Sequence, residues 1–213
     1  MKNETEQLFN ASVFTPDNEP YLGRETVYAF DNLIVACMEA NTRVAPITHE
    51  INKTDLQEAA CQLIPQSISI ALSIRELVRQ GYLFGAFILI RPLVERATIL
   101  LYLKRNPHDI NIWNRGWQHN EAPSLARMLN EIASEKFTGI GPDFTKPFNS
   151  ILHGKPDSAI WSLTPISGEK MGHSASKSLN NSALCDDVCI QSAAWLTVVV
   201  AMMSAYFPDH FLE

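Results

Sequence analysis

The chain has 213 residues, of which 46% are hydrophobic and 19% charged, with a formal net charge of −6 and a sequence pI near 5.5. This composition is ordinary for a globular protein and excludes disordered and fibrous classes. The acidic balance argues against a chain whose whole surface is built for nucleic acid, DNA included, but permits a local basic cleft. The length suits one domain around a single hydrophobic core.

The two ends of the chain differ in composition. Residues 1–22 are predicted to be a flexible N-terminal lead-in, since they are polar and acidic and contain no apolar stretch typical of a secretory signal. Residues 23–213 are predicted to form a single helical-bundle domain with a long loop at 155–181. A cytoplasmic location is the simplest expectation.

Three long helices come first. Apolar residues at helical spacing predict a helix over about 24–42. A capping box at Thr54-Asp55-Leu56-Gln57 starts a second helix, which ends at Gly81. A third helix follows from Tyr82 to about Arg105, and the short link at Gly81 makes the second and third helices either antiparallel neighbours or one long helix bent at that glycine.

Shorter elements fill the rest of the chain, with helices predicted over about 108–118, 123–135, 143–153 and 182–207. Residues 155–181 show no periodicity, and we expect a loop there and no β-hairpin anywhere. The apolar run Ala193–Tyr206 is shorter than the roughly 20 residues that span a bilayer, which predicts a core helix and no membrane contact. The fold class is therefore an all-α bundle of six or seven helices.

The four cysteines lie inside apolar helical patterns, at positions 37, 61, 185 and 189. Their spacing matches neither a disulfide scaffold nor a zinc knuckle, so we interpret them as reduced and buried. Cys185 and Cys189 share one helix face and could hold a metal together with His173. The core interpretation is favoured, and we predict no metal and no cofactor.

The chemically most informative segment is the apolar helix that contains Arg91 and Glu95. Four residues apart, these charges share one helix face, and their apolar surroundings place them in the interior. An unpaired charge there would be costly, so the two side chains are predicted to pair. Such a pair is either a structural clamp or part of a site.

Two motifs support a family resemblance. Arg91-Pro92-Leu93-Val94-Glu95 in a long apolar helix and Asn149-Ser150-Ile151-Leu152-His153-Gly154 ending a later one precede a polar loop and an apolar final helix. This arrangement resembles uncharacterised bacterial helical proteins that are themselves similar to the HEPN superfamily. The resemblance implies a helical bundle, often dimeric, that occurs in toxin–antitoxin and phage-defence systems and in many members is a metal-independent ribonuclease.

The resemblance points to Arg91, Glu95 and His153 as catalytic candidates. Imidazole can move the 2′-hydroxyl proton of RNA, while guanidinium stabilises charge developing on the phosphate. HEPN nucleases place a histidine four to six residues after an arginine, whereas the literal match here is Arg43–His49, interrupted by a proline. The clamp interpretation therefore stays open beside the catalytic one.

Three further residues are candidates for ligand binding: Arg96, Asn149 and Trp161. The sequence favours a ligand-binding or protein-interaction module, expected to be a homodimer with a protein partner or with RNA or a nucleotide, in a bacterial defence setting. The alternative is a divergent HEPN-type ribonuclease that uses Arg91 and His153. A nuclease requires an exposed His153 beside Arg91, whereas an interaction module requires an exposed apolar patch on the last helix or around Trp161.

Overall fold

A computed structural model describes residues 19–117, 121–133, 140–167, 170–173 and 177–211. The all-α class is confirmed, because these residues contain seven α-helices and only one small hairpin. The helices are α1 Glu25–Val44, α2 Asp55–Gln80, α3 Leu83–Arg105, α4 Ile110–Asn114, α5 Leu125–Ile132, α6 Ile140–Leu152 and α7 Ser182–Tyr206. The strands are β1 Leu163–Ser167 and β2 Lys170–His173, and 3-10 turns span Ala45–His49, Pro107–Asp109, Pro156–Ser162 and Pro208–His210.

Helices α2 and α3 form the centre of the bundle, and local signals define their junction. The Thr54 hydroxyl accepts the Gln57 N–H at 3.2 Å, and Gln57 in turn accepts the Thr54 N–H at 3.1 Å, which confirms the capping box. At the other end Gly81 has φ +80, and the Tyr82 N–H reaches back to the Leu77 carbonyl at 2.8 Å. This left-handed turn, natural for glycine, folds α3 back along α2.

Helix α7 packs against α1, α2 and α3, so it is a core helix as predicted. Asn181 caps it by accepting the Leu184 N–H at 3.1 Å. Arg24 and Thr26, at the start of α1, both bind Asp186 in the first turns of α7, at 2.8 and 2.6 Å. These bonds hold the N-terminal ends of α1 and α7 together.

The apolar character of α7 extends beyond the run Ala193–Tyr206. In the described part of the chain, α7 is the one helix long and apolar enough to cross a membrane, with a mean hydropathy of 1.8 over 18 residues. Only 33% of that window is buried. The sequence argument from a run that is too short was therefore wrong, and the packing of α7 against three helices is what defines it as a core helix.

The segment 155–181 was predicted to be an irregular loop without a β-hairpin, and both expectations were wrong for the part from Pro156 to His173. Residues 156–162 form a 3-10 turn, and β1 pairs antiparallel with β2 in the register Leu163↔His173 to Ser167↔Lys170. The strands have only five and four residues, include Pro165 and show no clean alternation of polar and apolar side chains. A ladder of such short strands, of which β2 is largely exposed, leaves almost no periodic signal in the sequence.

The flexible lead-in predicted over residues 1–22 also extends too far along the chain. Residues 1–18 lie outside the described residues, but Tyr21 is only 2% exposed. Its hydroxyl donates to the Ser178 carbonyl and accepts the Asn181 N–H at 3.2 Å, while Glu19 pairs with Arg75. The chain is thus anchored from residue 19 onward, because an aromatic ring and its hydroxyl are both used by the bundle.

Candidate functional site

The Arg91–Glu95 pair exists as predicted. Arg91 Nε donates to Glu95 Oε1 at 2.9 Å, across one turn of α3. The side chain of Arg91 is 16% exposed, whereas that of Glu95 is 38% exposed. The prediction of a fully interior pair was therefore wrong, because the pair lies at the edge of α3 while Leu93 and Val94 occupy its buried face.

Asn149 supplies the second partner of Arg91. Arg91 Nη1 donates to Asn149 Oδ1, which connects α3 to α6 across 58 positions of sequence. Asn149 was predicted to bind a ligand, and in this structure its side-chain oxygen Oδ1 accepts the hydrogen bond from Arg91. Within the described residues, the Nη2 group of Arg91 has no hydrogen-bond partner, so its N–H groups remain available to a further ligand.

His153 follows directly after α6 and is exposed. Its backbone N–H donates to the backbone carbonyl of Asn149 at 3.1 Å. The turn then closes through Gly154, which has φ +57, and through a bond from the Lys155 N–H to the Ser150 carbonyl at 2.9 Å. The imidazole makes no hydrogen bond or ion pair with any described residue. His153 thus lies one helical turn beyond the asparagine that binds Arg91, without touching Arg91.

Arg96 does not belong to this group. Its Nε donates to Gln66 Oε1 on α2 at 2.9 Å, and its Nη1 donates to the Pro92 carbonyl at 3.0 Å. Five positions after Arg91, it points toward α2, whereas Arg91 points toward α6. Its ligand-binding role stays a prediction with no support from the neighbouring side chains.

Trp161 does lie beside the Arg91–Asn149 connection. Its ring stacks on Phe87 with centroids 4.5 Å apart, and Phe87 stacks on Phe148 at 5.6 Å. Phe87 precedes Arg91 by one turn of α3, and Phe148 is the neighbour of Asn149 on α6. The three rings therefore attach the 156–162 turn to α3 and α6 next to the polar contact.

An open pocket of about 350 Å³ lies between this turn and the start of α7. It is lined by Ile160, Trp161, Asn181, Ala183, Leu184 and Asp187. Of these, the sequence pointed only to Trp161 as a ligand-binding residue. Asp187 looked like an ordinary charge in the first turns of a helix, and only the fold places it opposite Trp161.

A second open pocket, of about 370 Å³, is lined by Gln62, Trp113, Asn114, Gly116 and Trp117. The two tryptophans are half-buried and pack against the core, and Trp117 also meets Tyr102 edge-on at 6.4 Å. No charged side chain is among the described residues that line this pocket. It lies on α2 and at the end of α4, and no candidate residue lines it.

The cysteines are buried thiols in this structure. Burial raises the pKa of Cys37 to about 12, and both its contact with the Cys185 thiol and burial raise the pKa of Cys189. Among the described residues, no group of three His, Cys, Asp or Glu side chains is close enough to hold a metal. His173 Nδ1 instead lies 2.8 Å from the Ser162 hydroxyl.

The literal HEPN-type match does not add to the site. Arg43 lies exposed at the end of α1, with its guanidinium 5.9 Å from the centre of the Phe211 ring, and His49 ends the following 3-10 turn. The residues that converge are thus Arg91, Glu95 and Asn149, with Trp161 beside them and His153 one turn away. No family model, curated protein or solved structure matches this chain.

Proposed function

We propose that the protein is an interaction module that self-associates through the exposed side of its last helix. The observation that carries this proposal is a row of exposed, uncharged side chains on α7: Ile190, Ala194, Thr197, Ala201 and Ser204, called the α7 face below. Ile190 is 58% exposed, and no Asp, Glu, Lys or Arg occurs between Asp187 and Tyr206. An uncharged, partly apolar face of this kind marks an interaction surface rather than a solvated one.

The net charge of each copy restricts the surface through which a second copy can bind. Each chain carries a net charge of −6, so two copies repel unless they meet through a neutral surface. The α7 face is such a surface. Because it has no charged side chain, it brings no like charges together and buries no charge without a partner.

The spacing of the row also suits self-pairing. Ile190 lies seven residues before Thr197, and Ser204 lies seven residues after it. In an antiparallel pair of α7 helices with its two-fold axis at Thr197, the large Ile190 of each copy faces the small Ser204 of the other. Such isologous contacts are the rule in two-fold dimers, and small residues allow helix axes to approach to about 8 Å.

The row alone is too small for a stable dimer. The row extends over only about 21 Å of helix, and the area of its five side chains is well below the about 800 Å² that each partner of a stable interface buries. Helix α1 packs beside α7 and exposes Tyr28, at 69%, and Val35. We therefore include these two side chains in the same interface.

The test compares native protein with Ala194→Glu and Ala201→Glu, using Ala122→Glu as a matched change at an exposed turn outside the interface. Light scattering should give a dimer mass for the native and control proteins and a monomer mass for the two α7 variants. All four should give the same helical circular dichroism spectrum, because both alanines are exposed in the single chain. A monomeric native protein would overturn the proposal, and its binding to lipid vesicles would assign the α7 face to a membrane surface.

A dimeric module agrees with the predicted HEPN resemblance, which implies frequent dimers. The defence or toxin–antitoxin setting and the cytoplasmic location stay predictions from the sequence.

A metal-independent ribonuclease is the second candidate. It is supported by His153, which is exposed and lies one helical turn after Asn149, the residue that binds Arg91. Its imidazole could move a 2′-hydroxyl proton, and the open Nη2 of Arg91 could meet a phosphate oxygen. Glu95 opposes this chemistry, because it neutralises Arg91 at 2.9 Å. RNA is proposed as a partner only for the ribonuclease candidate.

An RNA-cleavage assay without added metal tests it, with native protein, His153→Ala and, as control, the exposed His210→Ala. The ribonuclease candidate predicts cleavage by the native and control proteins and none by His153→Ala. Cleavage that survives in His153→Ala, or no cleavage by folded native protein, contradicts it.

A further inference from the structure

The pocket beside Trp161 suits one class of small molecule. We infer that it binds a small organic cation with a flat apolar body. This site is separate from the α7 face, since none of the five residues of that face lines the pocket.

The aromatic wall of the pocket is held in place before any ligand arrives. Trp161 lies nearly parallel to Phe87, with 20° between the ring planes, and Phe148 supports Phe87 from α6. A fixed indole binds without the entropic cost of ordering a mobile side chain. Ile160, Ala183 and Leu184 complete an apolar lining, and about 350 Å³ accommodates a molecule of two fused rings.

Asp187 supplies the charge in this lining. Its Oδ1 accepts a hydrogen bond from Gln191 at 2.8 Å, and it forms no ion pair with any described residue. The adjacent Asp186 differs, because Arg24 and Thr26 bind it from α1. A carboxylate without a cation, beside an indole ring in an apolar pocket, is the combination that recognises organic cations.

The pocket offers little to an anion. Among the described residues that line it there is no Lys, Arg or His, and the chain as a whole is acidic. At the start of α7 the Asn181 side chain accepts the Leu184 N–H at 3.1 Å, and the Asp187 carboxylate in the pocket lining repels an anion that approaches the remaining N–H groups. Charge complementarity therefore selects a cation.

The experiment measures binding of N-methylquinolinium to the full chain by titration calorimetry, with the anion 2-naphthoate as a probe of similar shape and opposite charge. The native protein should bind the cation and bind the anion about tenfold more weakly or not at all. Asp187→Asn, which keeps the shape of the side chain, and Ile160→Ala should each weaken cation binding by a similar factor. Asp209→Asn, a matched change at an exposed site on another element, should leave cation binding unchanged.

Three results would overturn the inference: no cation binding by folded native protein, equal binding of cation and anion, or full binding by Asp187→Asn. The last result would identify the apolar walls alone as the cause of binding. Binding retained in Ala194→Glu would show that the pocket works independently of self-association, whichever way that proposal turns out.

Discussion

Arg91 on α3 donates a hydrogen bond from Nη1 to Oδ1 of Asn149 on α6, while its Nε is held by Glu95. The connection joins a helix of the central pair to a helix that packs over it. Beside it, the Phe87–Phe148 contact joins the same two helices through apolar rings. Polar and apolar contacts thus fix α6, and with it the position of His153.

Arg91→Ala should lower the free energy of unfolding by about 1–3 kcal/mol, because it leaves the Asn149 amide and the Glu95 carboxylate without their partner. The matched control is Arg127→Ala, which removes an exposed pair of the same spacing and the same 2.9 Å distance to Glu131. That change should cost only about 0.5 kcal/mol or less. Urea denaturation measures both, and equal losses would contradict a stabilising role for the α3–α6 connection.

Tyr21→Phe should destabilise the protein by about 1–2 kcal/mol, because it removes the hydroxyl that joins Ser178 and Asn181 while keeping the ring. Ser69→Ala provides the control, since it removes an exposed hydroxyl from α2, outside the proposed interface. Thermal unfolding monitored by circular dichroism compares them at a concentration where both have the same oligomeric state. No difference between the two variants would mean that the segment from residue 19 onward is held by its apolar contacts alone.

Asp186→Asn should destabilise the protein at neutral pH and have little effect in acid. The hydrogen bond from Arg24, followed by that from Thr26, lowers the pKa of Asp186 below its ordinary value of 3.8. A carboxylate with a lowered pKa contributes stability above its unfolded pKa, and that contribution is lost as pH falls through the folded pKa. The gap in the free energy of unfolding between native and variant protein should therefore shrink progressively as pH falls below about 4, and a constant gap at all pH values would exclude the ionised carboxylate as the cause.

Thr98→Val should stabilise the protein by about 1 kcal/mol, because it replaces a buried hydroxyl by a methyl group of similar size. Within the described residues, the Thr98 hydroxyl is fully buried and has no hydrogen-bond partner. Thr42→Val is the control at an exposed helical site, where the hydroxyl bonds the Glu39 carbonyl at 2.6 Å. Urea denaturation should show a gain for Thr98→Val only, and a loss there would reveal a partner for the hydroxyl, such as a buried water.

The helices were predictable because their signals act over a few residues. The Thr54 capping box, the Gly81 turn and the Asn181 cap each depend on bonds that span no more than five positions. The Arg91–Glu95 pair belongs to the same category, since helical spacing alone brings the two side chains together. For this protein, the sequence by itself determined the long helices, their caps at Thr54, Gly81 and Asn181, and this one ion pair, whereas the helix predicted over 108–118 is shorter, Ile110–Asn114.

Only the tertiary structure decided the rest. It brings Asn149 to Arg91, Tyr21 to Ser178 and Asp187 to the pocket wall formed by Trp161, over separations of 58, 157 and 26 positions respectively. It also leaves Glu95 partly exposed and pairs two short strands that have no periodic pattern. The physical reason is that burial and long-range pairing depend on how the helices pack together, and periodicity along one helix carries no information about its neighbours.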